Sequence, residues 1–280
     1  MVDTNGKECW SRRRTQRLVL ASLLAFWGAV VPGRSGIGRT AAGVAGAELG
    51  AVGVAVVERM DAATRKSAER IVRELAGSIR ERDRITYEHS RRVATYAQRL
   101  ARHMGWGRRL AYDLALAALV HDLGKTWIVN AVLHKPSALS TDERLDMERH
   151  PIIGARILEI YGAPVFLVEA VRHHHEAFNG RGYPDHLAGE EIPLAARLLA
   201  VADVFDALTS ERPYKAGMDA PQACERIQSG ADGYFDPEVV AAFLALVDGW
   251  PAFILPRHAC PVPPKAPARL NIWYHELMGE

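Results

Sequence analysis

Between residues 62 and 248 the apolar positions follow helical spacing, and no convincing run alternates in the manner of a strand. A first helix is predicted from Asp61 towards Asp83, with Ile71, Leu75 and Ile79 four residues apart on one stripe. Such a stripe packs on its own domain or pairs two chains. The segment RVATYAQRLARHMG stops at Gly105, and LAYDLALAALVHDLGK ends its apolar run at Gly124, a helix-stop signal. The body is therefore expected to be all-α. Its chemistry must come from side chains that several helices project into one pocket.

The two ends have a different texture. Arg12, Arg13, Arg14 and Arg17 precede the uncharged run LVLASLLAFWGAVV, and a loop with Pro32 leads to a second apolar run from Ala41 to Val57. The first run is short of the roughly 20 residues that a membrane span needs. Gly43, Gly46, Gly50 and Gly53 smooth one face of the second, as a tightly packed membrane hairpin requires. Basic residues before the first run and after the second fit both ends facing the cytoplasm, although Arg34 and Arg39 in the loop weaken that argument. A cleaved signal or a misassigned start competes with the hairpin. After Trp250, prolines at 251, 256, 261, 263, 264 and 267 exclude a continuous helix. The expected division is residues 1–60 as a hydrophobic region, 61–84 as a connector helix, 85–248 as the functional body and 249–280 as a tail.

Composition adds exclusions. A chain of 280 residues with 49% hydrophobic content buries a substantial core and is not globally disordered. Lys+Arg 35 against Asp+Glu 33 leaves a net charge of +2, which gives no reason to expect a long nucleic acid as partner. Cys9, Cys224 and Cys260 lack metal-finger spacing and are too scattered for a disulfide framework, so a reducing compartment is the natural one.

The chemistry concentrates in a few polar residues set into apolar helices. His121 and Asp122 end a strongly apolar run, where an unpaired imidazole and carboxylate would be costly to bury. His89 lies on the first helix of the body, His150 follows in MERHPIIGARIL, and His173, His174 and His175 come in succession. A tight cluster of protonated histidines repels itself, whereas neutral imidazoles ligate metals. Asp203 adds a carboxylate, and Asp206, three residues on, shares its helix face. The spread from His89 to Asp203 excludes a local zinc finger and points to a fold-dependent catalytic cluster. One shared carboxylate bridging two metals about 3.5–4 Å apart would suit displacement at a phosphate ester. Lys125, Arg212 and Lys215 are candidates for gripping the phosphate oxygens.

From roughly Arg82 to Phe243 the chain resembles the HD-GYP domain, a branch of the HD metal-dependent phosphohydrolases. The resemblance rests on EHSRRVATYA, HDLGK, LHKP, RHP, HHE, NGRGYP, VADVFDALTSERPYK and FDP, in that order. It implies an all-helical bundle with a metal site between helices and hydrolysis of cyclic di-GMP to pGpG or onward to GMP. Carried over, His89, His121, Asp122 and Asp203 would hold one metal. Asp122 would bridge to a second, held by His150, His174 and His175, with His173 outside the ligand set. Lys125 would polarise the scissile phosphate, Arg212 and Lys215 would bind phosphate, and Asp206 would orient a ligand or the attacking water. Tyr183, in the signature turn, would meet a base or a partner protein. Some family members use a glutamate four residues before the first histidine for a third metal. This chain has Ile85 there, so two divalent ions are expected, iron or manganese ahead of zinc or nickel. The alternative function is a non-catalytic cyclic di-GMP sensor that docks a diguanylate cyclase, and a homodimer is a further partner expectation. Because the messenger is cytoplasmic, the body is expected in the cytoplasm, anchored by any hairpin.

Overall fold

The computed structural model describes residues 62–133, 135, 137–211, 217–231 and 233–250, all within the larger compact unit Gly46–Glu280. The expected hairpin, the proline-rich tail, Arg212 and Lys215 lie outside the described residues. Among the described residues the structure is helical and without a strand. Two isolated bridges, Asn179 with Ala188 and Ala231 with Phe235, are its only extended pairings there. No helix among the described residues is long and apolar enough to cross a membrane.

Helix α1 (Ala62–Arg82) buries Ala68, Ile71, Val72, Leu75, Ala76 and Ile79 on one face. The predicted stripe therefore packs on the body's own core. A two-pronged ion pair from Arg65 to the buried Asp113, at 3.1 Å on each prong, fastens its start. Near its end, Arg82 donates to the Ile128 carbonyl. A single residue, Asp83, separates α1 from α2 (Arg84–His103). Its carboxylate accepts from the backbone N–H groups of Ile85 and Thr86, which otherwise lack helical partners.

Helix α2 ends before Gly105, which holds φ +85°, the left-handed geometry of a helix stop. Helix α3 (Arg108–Val120) is buried on most sides and ends one residue before His121. The predicted stop at Gly124 is thus corrected. Gly124 lies buried inside a 3-10 turn (Leu123–Trp127), and a Cβ there would stand 1.9 Å from the His150 carbonyl oxygen. The glycine is needed for close backbone approach between the turn and the start of a later helix.

Short helices α4 (Asn130–Leu133) and α5 (Thr141–Met147) follow, the latter opened by a Ser140–Glu143 capping box. Next come α6 (His150–Ile160), α7 (Val165–Arg172), α8 (Leu194–Thr209), α9 (Ala220–Ser229) and α10 (Pro237–Val247). Helix α8 is the central post. Phe205 meets Tyr96 of α2, Phe243 of α10 and Trp250 edge-on, with centroids 5.4, 5.0 and 6.0 Å away. Burying each such ring contributes about 1.5–3 kcal/mol, enough to fix α8 against α2. That contact sets Asp203 and Asp206 of α8 opposite His89 of α2.

Candidate metal centre

The predicted ligands converge on one buried spot between α2, α3, α6, α7 and α8. His89 Nε2 lies 2.9 Å from Asp203 Oδ1, and His121 Nε2 lies 3.6 Å from the same oxygen. Asp122 faces two ways. Its Oδ2 is 3.9 Å from His89 Nε2 and 3.6 Å from His121 Nε2, while its Oδ1 is 3.5 Å from His150 Nε2. His150 Nε2 in turn approaches His174 Nε2 at 3.4 Å, and the rings of His174 and His175 are 4.1 Å apart. Donor atoms group within 4.8 Å as His89, His121 and Asp203, as His150, His174 and His175, and as His121, Asp122 and His174. Two half-sites thus share Asp122.

Three of these imidazoles are aimed by the end of a helix. His121 Nδ1 donates to Ala118 O of α3 at 2.7 Å, His150 Nδ1 to Met147 O of α5 at 2.8 Å, and His174 Nδ1 to Val171 O of α7 at 2.7 Å. Each carbonyl belongs to the last turn of its helix, where backbone acceptors have no partner further along. Accepting from a ring nitrogen fixes the tautomer with its proton on Nδ1, leaving the Nε2 lone pair for the site. His89 stands in the middle of α2 and has no such carbonyl. Its Nδ1 faces Asp206 Oδ2 at 2.7 Å.

Asp206 is fully buried and accepts from Arg92 Nε at 2.7 Å, Arg92 Nη2 at 2.9 Å and Ser210 Oγ at 3.0 Å besides His89. Asp206 therefore lies between His89 on one side and Arg92 with Ser210 on the other. Lys125 Nζ pairs with Asp122 Oδ2 at 2.8 Å. Ile85, four residues before His89, is 62% exposed.

The charges suit a cation. Burial presses His150, His174 and His175 down, His174 to about 4, so these imidazoles are neutral near pH 7. Burial alone would raise Asp122 and Asp203. Lys125 and the nearby histidines outweigh it at Asp122, as do His121 and His89 at Asp203, and both carboxyls stay well below their usual range. His89 is the exception. Burial pushes it down, but Asp203 and Asp206 on its two nitrogens lift it from 6.5 to about 9. His121 Nε2 and Asp122 Oδ1 are buried without a hydrogen-bond partner, a cost of about 1–3 kcal/mol each that a divalent ion would remove. Imidazole nitrogens and carboxylate oxygens facing one another around two spots fit a pair of divalent ions.

The signature turn lies behind the ligands. His173 is held by Glu169 O at 3.1 Å and Asp185 Oδ2 at 3.0 Å, away from the cluster. Glu176, not assigned a role from the sequence, accepts from Asp185 N and Leu187 N and so gathers the loop. A Cβ at Gly182 would stand 2.1 Å from Ala177 N, which explains a glycine there. Tyr183 is 7% exposed and stacks on His175 with ring centroids 4.9 Å apart.

The HD domain family profile matches residues 74–239, more than half of the chain. A cyclic di-GMP phosphodiesterase of Pseudomonas aeruginosa is 41% identical over 62% of this chain and 42% of its own length. A 3'3'-cGAMP-specific phosphodiesterase of Vibrio cholerae is 35% identical over 70% of this chain and 38% of its own. The chain therefore spans less than half the length of these relatives. Among solved structures, an HDG"Y"P protein from Bdellovibrio bacteriovorus superposes with a TM-score of 0.50 at 21% identity, over 58% of this chain and 52% of that one, a likeness of fold. A profile running from α1 into α10, over a body whose His121-Asp122 pair lies before a Gly182-Tyr183-Pro184 turn, leaves one assignment: the chain belongs to the HD domain family, in its HD-GYP branch.

Proposed function

We propose that this chain is a metal-dependent phosphodiesterase that opens a cyclic dinucleotide, with cyclic di-GMP the foremost candidate and pGpG or GMP the product. The observation that carries it is Asp122, whose two carboxylate oxygens each face a different imidazole group. His89, His121, Asp122 and Asp203 would hold one divalent ion, and Asp122, His150, His174 and His175 the other. Such a pair supplies Lewis acidity at the phosphate and lowers the pKa of an attacking water. The protein's own contribution is to keep His150, His174 and His175 neutral and Asp122 and Asp203 ionised, and to exclude bulk water from the cluster. Lys125, half-buried beside Asp122, is placed to turn its ammonium to a phosphate oxygen. We assign Arg212 and Lys215 the remaining phosphate contacts. Iron or manganese suits the mixed nitrogen and oxygen set best, with zinc and nickel chemically acceptable. Cyclic di-GMP as substrate would put this body in the cytoplasm.

The relatives carry two substrate names, so the test compares substrates. Protein loaded with Mn²⁺ is given cyclic di-GMP and 3'3'-cGAMP separately, beside Asp122→Ala, and linear products are followed by chromatography. Turnover of at least one dinucleotide that Asp122→Ala abolishes is expected, and the faster one names the substrate. Equal rates in the two proteins would sink the mechanism, and tight binding without turnover would make the protein a sensor.

A further inference from the structure

We propose that Arg92 is a positioning residue for one half of the metal centre: it clamps Asp206 so that His89 presents Nε2 to an ion, and the other half does not depend on it. The proposal rests on the two-metal reading above and concerns how that site is built.

The two halves are supported differently. His150 and His174 are aimed by main-chain carbonyls, Met147 O and Val171 O, whose positions are set once α5 and α7 fold. His89 is aimed by a side chain, and a carboxylate on a flexible stem holds a direction only if something holds it. Arg92 does so with a fork. Its Nε takes one oxygen of Asp206 at 2.7 Å and its Nη2 the other at 2.9 Å, which fixes the carboxylate plane. Arg92 lies three residues after His89 on α2, on the same face, so the clamp and the ligand move together. Ser210 Oγ adds a donor to the oxygen that His89 uses, from the far end of α8. The chain of contacts Arg92, Asp206, His89 is the familiar outer support of a metal-bound histidine, extended by one charged residue.

The plain alternative is an ion pair that merely ties α2 to α8. The side chain of Arg92 is 36% exposed but Asp206 is fully buried, so loss of a merely structural pair would lower the stability of the whole fold and weaken both half-sites alike. Positioning predicts a loss confined to one half-site.

The experiment separates the halves and titrates each with Mn²⁺ alone by calorimetry. His150→Asn disables the half built on His150, His174 and His175, while its amide can still donate to the Met147 carbonyl. Asp203→Asn disables the half that uses His89. Arg92→Ala is expected to weaken Mn²⁺ binding about 10–100-fold in the His150→Asn background and to leave it within twofold in the Asp203→Asn background. Arg92→Lys, which keeps the charge without the fork, is expected to fall between. Unchanged binding in the His150→Asn background, or an equal loss in both, overturns the proposal. Melting curves of the metal-free proteins guard against a general loss of fold. If the unsubstituted protein takes up no Mn²⁺, the two-metal reading fails. If it takes up two ions and Arg92→Ala is silent, only the clamp fails.

Discussion

Replacing Gly124 with alanine puts a methyl group where the backbone of His150 already stands. The added Cβ would lie 1.9 Å from the carbonyl oxygen and 2.7 Å from the carbonyl carbon of His150. A carbon and a carbonyl oxygen approach no closer than about 3.3 Å, so the turn and the start of α6 must part by about 1.4 Å. No flexible side chain can give way, because both contacts are main chain. Overpacking of this kind costs about 1–3 kcal/mol, which for a domain of this size lowers Tm by about 2–12 °C. The site feels more than the stability does, since ligand distances tolerate only about 0.2 Å of error. Displacing His150 should abolish one Mn²⁺ site and weaken the other through Asp122. Differential scanning calorimetry of the metal-free protein and a Mn²⁺ titration measure both effects. Gly107→Ala is the control, because a Cβ there meets nothing within 4 Å. A Gly124→Ala protein that melts with the control and still binds two ions would refute the close-approach argument.

Two further outcomes follow from charges already placed. In the metal-free fold His89 keeps its proton up to about 9 against 6.5 unfolded, so its contribution to stability is complete below 6.5 and is lost as pH rises through 9. An ion must displace that proton, so Mn²⁺ affinity should climb as pH rises to about 9 and level off above it, with one proton released per chain at pH 7.5. Titrations in buffers of different ionisation enthalpy read that proton, and its absence would contradict the assignment. At the other end of the body, Arg65→Met leaves Asp113, 1% exposed, without its partner and should cost about 3–5 kcal/mol in urea unfolding. Adding Asp113→Leu should recover most of the loss, and a double variant no better than the single would show that the ion pair is not what holds α1.

The helices were legible because their periodicity is unbroken, and α1 emerged with its stripe of Ile71, Leu75 and Ile79 buried as expected. The histidines and aspartates were legible because charged and polar groups are rare in such apolar runs, and the structure brings His89, His121, Asp122, His150, His174, His175 and Asp203 together. What could not be read is which second group each touches. Gly124 looked like a helix end because glycine has that role most often, whereas here it admits a backbone from 26 positions on. Tyr183 sits in a polar turn, and only the fold of the loop against Glu176 turns its ring inward. Arg92 is one of many arginines on α2, and nothing local distinguishes it from Arg91, which pairs with Glu88 at the surface.

The helix-end histidines would let the centre keep its shape without an ion. In a zinc finger the metal organises the ligands and the apo chain is unfolded. Here the imidazoles of His121, His150 and His174 also terminate α3, α5 and α7, so three lone pairs are already converging when the backbone has finished folding. Ions bound there would be passengers in a finished cradle. A chelator should empty it and fresh metal refill it without unfolding the protein, which lets the centre equilibrate with whatever divalent ion the cell supplies.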